Sequence, residues 1–333
     1  MQFFGTQQRD TRVDYEYSES TYASYAQISG SIHKNINFST GARIETNQVQ
    51  GETEADDFPL VDRENLHFFP KVMLNIEMDS TKNLTFNYSK SIERPDYSRA
   101  SSIRVFINPF LEGSGNVNLL PTVMDEISTN FQLKQKSISV SYLRRKNPMY
   151  FTIDYDKDDT GKAIFALRNL ERESGLDISL TLPITQGIWT ATNFMMLSTR
   201  RVQDSSAVTN ASKPYLYIYT DHQFKIGDDT TLSLGGWGFT KRSEGIFMRN
   251  GLISLNAAIT KTFFDTLNCS LHFNDITKAQ NFEESYSIDG VNANGVYFAD
   301  AREIALSIKY SIGTHKEPDY KNRDVDENLD RIK

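Results

Sequence analysis

The chain has 333 residues, of which 38% are hydrophobic and 24% charged, and its formal net charge is −7. That acidic balance leaves no basic field for wrapping nucleic acid, and an aromatic share of 12% argues against a disordered chain. A mean hydropathy of −0.49 without any long apolar run excludes membrane-spanning helices, though not a membrane barrel, whose strands are apolar on one face only.

Taken in order, the chain opens with Met1–Ser20, which has neither a basic n-region nor an apolar h-region and so does not read as a signal peptide. From there the period is two, repeatedly, and almost never helical. Thr21–Ile32 begins the pattern. Val72, Leu74 and Ile76 alternate with polar residues, as do Leu84, Phe86 and Tyr88, then Ile127, Thr129, Phe131 and Leu133. Leu176, Ile178, Leu180 and Leu182 continue it, followed by Leu267, Cys269, Leu271 and Phe273. Ile304, Leu306, Ile308, Tyr310 and Ile312 form the last such run. Gly313–Lys333 holds 5 basic and 6 acidic residues among 21 and reads as a charged, mobile tail.

The connections alternate as well. Short turns are expected near His33–Asn35, Asp79–Asn83, Lys134–Lys136, Thr185–Gly187, Gly227–Asp229 and Asp265. Longer polar connections are expected near 48–65, 94–121, 156–161, 201–214, 241–250 and 277–295. About thirteen strands of roughly ten residues result, the length of a tilted membrane strand. A soluble sandwich has no reason to sort its loops by end, whereas an up-and-down outer-membrane barrel does. The fold class is therefore all-β: an antiparallel up-and-down transmembrane β-barrel in the bacterial outer membrane, with lipid as its partner. Its wall would span 19–312, with 1–18 in an extracellular loop and 313–333 in the periplasm. Two stretches, Ser137–Asp156 and Lys162–Leu182, read as tall strands rising above the membrane. Asp177, Asn130, His272 and Lys309 would face a wet or plugged lumen.

An odd strand number does not close neatly, so the chain is expected to be part of a larger barrel. Alternatively, residues 8–17 add a fourteenth strand and the chain closes alone as a passive pore. A surface-binding barrel without transport and a soluble β-protein are the remaining readings.

The stretch Tyr88–Lys134 contains Arg94-Pro95-x-Tyr97, then Asn108-Pro109-Phe110, Gly115-Asn116, and Leu119-Leu120-Pro121 ahead of a returning strand. In these motifs it resembles the outer-membrane β-barrel family of Bacteroidetes-type TonB-dependent receptors. The Tyr-Ala-x-Tyr-Ala start of the first strand and the IALSIKYSIG ending are similar too. The chain departs from the pattern at Gly115-Asn116-Val117, where many members have Gly-Asn-Pro. The resemblance implies a barrel of 22 strands, of which about nine would be absent here together with the plug domain. It also implies energised import of a ligand, driven by a TonB-type energy-coupling complex acting through that missing plug.

Candidate sites are few. Arg94, Asp96, Tyr97, Asn108 and Asn116 sit in the longest loop and are candidate extracellular ligand contacts. The same residues read as a loop-folding motif, with Pro95 and Pro109 stiffening the chain, and that is the favoured reading. The acidic residues from Glu52 to Glu64 match no calcium template, and Asp154 to Asp159 fail the EF-hand frame at its sixth and twelfth positions. The five histidines lack metal spacing, and the single cysteine, Cys269, excludes a disulfide framework. No metal, cofactor or catalytic residue is expected, and the chain does not read as an enzyme. Tyr150 or Phe151, Tyr215, Tyr217 and Tyr219, and Phe263 with Phe264, are candidate anchors at the membrane interfaces.

Overall fold

The computed structural model describes residues 15–53, 61–101, 103–156, 161–205, 213–244, 246–288 and 291–312. Twenty-one strands lie along these residues. The first four are β1 (Tyr15–His33), β2 (Ile36–Thr53), β3 (Val61–Asp79) and β4 (Lys82–Glu93). They are followed by β5 (Arg104–Asn108), β6 (Leu111–Ser114), β7 (Thr122–Leu133), β8 (Lys136–Lys146), β9 (Met149–Tyr155) and β10 (Ala163–Asn169). Next come β11 (Arg172–Gln186), β12 (Trp189–Gln203), β13 (Tyr215–Ile226) and β14 (Thr230–Phe239). The last are β15 (Arg242–Glu244), β16 (Phe247–Arg249), β17 (Leu252–Phe263), β18 (Leu267–Asn274), β19 (Phe282–Ile288), β20 (Val291–Tyr297) and β21 (Glu303–Tyr310).

Thirteen of these form one antiparallel sheet in the order β1-β2-β3-β4-β7-β8-β11-β12-β13-β14-β17-β18-β21. This is the wall expected from the alternating sequence. Each wall strand pairs with the wall strand before and after it in the chain. One rim carries the six short turns, where left-handed backbone occurs at Lys134, Gly187, Gly227, Phe264 and Asp265. The other rim carries the long connections. The edge strands β1 and β21 both run from the long-loop rim to the short-turn rim, so pairing them with each other would make a parallel contact.

Register converts the period of two into two continuous faces. Across one face run Leu74, Phe86, Thr129, Val140, Ile178 and Leu197, each opposite the next. Across the other, Asn75, Thr85, Asn130, Ser139 and Ser179 lie side by side. Thr85 donates to Asn75 at 3.0 Å, and Asn130 donates to Ser139. Asp177, His272 and Lys309 fall on this polar face by register, with Asn130. The apolar face remains open to its surroundings: Phe86, Ile127, Ile178, Leu234 and Ile259 stay between 37% and 60% exposed. An exposed apolar band this wide is what lipid contact requires.

The buried clusters lie at the long-loop rim and not inside the wall. Val49, Val61 and Val117 form one, with Tyr17 packed against it. Leu170, Val202, Ile246, Phe247 and Tyr286 form the other. Both exist because the loops fold. Strands β5, β6, β10 and β9 make a four-stranded sheet, in which β10 runs parallel to β6. Strands β15, β16, β19 and β20 make a second.

Three sequence expectations are corrected. The tall strands 137–156 and 162–182 are each two strands. The break falls at Asn147, whose φ is +54°, and Pro148, which lacks an N–H to continue the ladder. There β9 and β10 leave the wall as a hairpin, closed by the Leu170 N–H on the Pro148 carbonyl at 2.9 Å. The connection placed at 48–65 is shorter, because β2 continues to Thr53 and β3 starts at Val61. The wall also starts at Tyr15, where Tyr15–Ser18 already pair with β2. The fourteenth strand considered at 8–17 lies outside the described residues except for Tyr15–Tyr17, which belong to β1. Most of the acidic stretch after Glu52 and the tail from Gly313 also lie outside them.

Candidate ligand-binding cleft

The longest connection, 94–121, is held on the wall by the residues singled out in the sequence. The Arg94 guanidinium pairs with Glu45 and, at 3.3 Å, with Glu19, two carboxylates only 2% and 6% exposed. Arg43 takes the other oxygen of Glu45 at 2.6 Å, so that carboxylate lies between two guanidiniums. Asp96 accepts the N–H groups of Arg99 and Ala100 on its carbonyl, making the turn that follows Pro95. The Tyr97 ring packs at 5.3 Å on Tyr17 of β1. Asn108 accepts the Phe110 N–H on its side chain, an Asx turn at Pro109. Asn116 accepts the Asn118 N–H and donates to the Leu167 carbonyl of β10. Val117, which stands where many family members have proline, gives its carbonyl to Arg63 of β3 at 2.6 Å. Gly115 passes so close to Ser101 that a Cβ would lie 2.3 Å from its carbonyl oxygen.

All five candidate residues are thus engaged in folding the loop, and none lines the larger cleft. That cleft lies between the two loop-borne sheets and has a volume of about 430 Å³. Phe151 of β9 and Phe165 of β10 stack at 4.7 Å on one side. Phe282 of β19 and Tyr297 of β20 stack at 4.7 Å on the other, and Phe247 meets Tyr286 edge-on at 5.5 Å. The Tyr286 hydroxyl donates to the Ile153 carbonyl at 3.2 Å, joining the two sheets. Burial, then the Asp154 carboxylate, raises the Tyr286 phenol, so it remains a donor at neutral pH. Tyr297 is pushed up to about 12, first by its hydrogen bond to Glu284 and then by burial. Glu284 also takes Arg249 at 2.8 Å. Charge in this cleft is therefore paired, and its walls are aromatic. Size and lining are those of a small-molecule site.

A second pocket of about 370 Å³ lies on the polar face beside the hairpin. Wall strands supply Arg145, Glu173, Arg200, Tyr215 and Tyr217, and β15 supplies Arg242. Glu173 is 1% exposed, 3.2 Å from Arg145 and 3.9 Å from Arg200. Arg200 also grips Asp177 with two bonds of 2.7 Å each. Arg242 lies 3.7 Å over the Phe239 ring. Tyr150 lines both this pocket and the aromatic cleft.

Tyr150, Phe151, Tyr215 and Tyr217 therefore stand at the pockets and not at a membrane interface, which corrects the anchor expectation for them. Phe263 and Phe264 sit at a short turn, with Phe264 89% exposed. The cleft residues on β16, β19 and β20 were missed because 241–250 and 277–295 read as polar connections. A signal was present: Phe282, Glu284, Tyr286 and Ile288 alternate ahead of Asp289-Gly290, a dipeptide favoured in hairpin turns. Among the described residues, no trio of His, Cys, Asp or Glu is placed to hold a metal ion.

Comparison with known proteins agrees with this architecture. Among curated protein sequences none matches the chain. The barrel resembles the copper transporter OprC, with a TM-score of 0.63 at 10% identity over 89% of this chain and 48% of that one. It resembles the siderophore receptor PiuA from Acinetobacter baumannii, with a TM-score of 0.60 at 11% identity over 89% of this chain and 44% of that one. The FrpB iron transporter from Neisseria meningitidis matches with a TM-score of 0.57 at 13% identity over 88% and 46%. At such identities the likeness is one of fold, and the chain spans a little under half the length of these structures. The outer membrane protein beta-barrel family model matches residues 4–310, which include the whole described wall, and the chain belongs to that family of the bacterial outer membrane.

Proposed function

We propose that this chain forms the barrel wall and the extracellular, ligand-facing loops of a TonB-dependent-receptor-like transporter. Its ligand enters from outside through the aromatic cleft and is imported with energy delivered by a TonB-type complex through a plug domain lying outside these residues. The observation that carries this reading is the pair of loop-borne sheets, which hold a small-molecule cleft at the rim of a polar-faced wall. A simple pore has no need of such a cap. The direction of β1 and β21 also speaks for further strands, because bacterial barrels close by antiparallel pairing. Arg94, Asp96, Tyr97, Asn108 and Asn116 act in this reading by fixing the loop that positions β6 and β10.

The test is depletion of solutes from defined medium, measured by mass spectrometry for cells with and without the gene, with and without a protonophore. Energised import predicts a solute whose depletion needs both the gene and the proton gradient. Depletion that survives the protonophore would mean a passive pore. No gene-dependent depletion, with a solute retained on the cell surface, would mean a binding barrel.

A further inference from the structure

The two pockets differ in charge, and Tyr150 belongs to both. Among the described residues lining the aromatic cleft the cation is Arg249, matched by Glu284, and Arg99 lies 5.0 Å over the Phe151 ring. Among the described residues, three arginines line the lower pocket together with one carboxylate, Glu173, and Asp177 stands beside Arg200. Arg145 and Arg200 come from wall strands β8 and β12, which flank β11 in fixed register, so these two guanidiniums cannot spread apart as they would on a free loop, while Arg242 is brought to them by β15 of the loop-borne sheet. Arg200 is pinned by Asp177, and Arg242 is stacked on Phe239. Tyrosines 215 and 217 add hydroxyls beside them. Pre-positioned guanidiniums beside hydroxyl donors form a receptor for an oxyanion such as carboxylate, sulfate or phosphate.

We infer that the ligand is an organic oxyanion with a flat apolar body, which rests between the aromatic walls of the upper cleft while its anionic group reaches past Tyr150 to Arg145, Arg200 and Arg242. This rests on the proposed function, since it names the ligand class of the same route. Glu173 keeps Arg145 and Arg200 apart and aimed, so it is a positioning residue and not a contact.

The full-length protein in lipid nanodiscs is titrated with 2-naphthalenesulfonate, with neutral 2-naphthalenemethanol and with inorganic sulfate, and binding is read by ligand-observed NMR. Naphthalenesulfonate should bind best of the three. Arg145→Gln and Arg242→Gln should each weaken it about tenfold, the effect of one charge-assisted hydrogen bond, and leave the neutral compound unchanged. Arg242→Lys should recover part of the loss. Phe165→Ala should weaken both aromatic probes. Unchanged trypsin fragments for each variant serve as the control for folding, and Arg242→Met repeats the test if Arg242→Gln fails it. Equal binding of the neutral compound, or sulfate binding as well as naphthalenesulfonate, overturns the inference. So does wild-type affinity in both arginine variants. Because binding is read without transport, energised depletion of an uncharged solute would overturn this inference while leaving the proposed function intact. Naphthalenesulfonate binding without any energised depletion would do the reverse.

Discussion

Replacing Arg94 by leucine removes the guanidinium between two carboxylates that are almost completely buried. Breaking a buried pair from one side costs about 3–5 kcal/mol because the other charge is left uncompensated. Here Arg43 still covers one oxygen of Glu45, and Asn47 and its amide still reach Glu19 at 2.8 Å, so about 2–3 kcal/mol is expected. That corresponds to a roughly 30- to 150-fold larger open fraction of the 94–121 loop. The wall strands keep their ladders, so the loss is local. Hydrogen exchange reads it directly: the Gly115 and Asn116 N–H groups, bonded to the Ile103 and Arg99 carbonyls at 3.0 and 2.7 Å, should lose protection by that factor. Wall amides such as that of Ser179 should not. Adding Glu45→Gln to Arg94→Leu should recover most of the protection, since a neutral amide no longer needs the guanidinium. Unchanged exchange in the single variant, or equal exchange in the single and double variants, would refute the argument that this ion pair holds the loop.

Three further outcomes are expected. Burial raises Asp275, but the Ala279 and Gln280 N–H groups and the hydroxyls of Ser254 and Thr277 outweigh it and hold the carboxyl below its usual range. A depressed carboxyl stabilises its turn fully above about pH 4, the ordinary carboxylate value, and loses that contribution as pH falls through the lowered one; the protection of the Ala279 amide, taken relative to its intrinsic exchange rate at each pH, should fall with acid in the wild type and stay constant in Asp275→Asn. Leu234→Arg, on the apolar face, should cost about 2–4 kcal/mol of folding in bilayers, while Ser233→Arg on the polar face should cost little, measured by denaturant titration of liposome-inserted protein. Gly115→Ala should open the 94–121 loop, seen as faster trypsin cleavage after Arg99 and Arg104, because its methyl group collides with the Ser101 carbonyl.

The wall was legible in the sequence because two solvents enforce it. Lipid on one side and water on the other demand strict alternation, so Leu176 to Leu182 and Ile304 to Ile312 announce their faces without tertiary information. The six short turns were legible for the same reason, as interruptions of that alternation. The loop sheets have no such enforcement. Val105, Phe106 and Ile107 are consecutive and apolar, and β6 contains Gly113, so neither displays period two. The break at Asn147-Pro148 was masked by the alternation resuming in β9. Arg145, Glu173 and Arg200 looked like ordinary polar-face residues, because cross-strand register, which brings them together, is not written in any one segment. The motif from Arg94 to Asn116 was visible, and its residues hold the loop by contacts with β1, β2 and β10 that no local spacing reveals.

The pairing order has a consequence for assembly. Every wall ladder joins strands that follow one another along the wall, so each added strand closes either a short turn at one rim or a single longer connection at the other. Such a sheet grows by successive local steps, each with a small loop-closure cost. The contact of β6 with β10 is different: Leu111 meets Ala163 only after β7 and β8 have formed and returned the chain to the same rim. The same holds for β16 on β19, which waits for β17 and β18. Both caps therefore form after the ladders beneath them. A chain halted midway through insertion has part of its wall but not the cleft between the loop-borne sheets, so in the proposed function ligand capture would report that folding has finished.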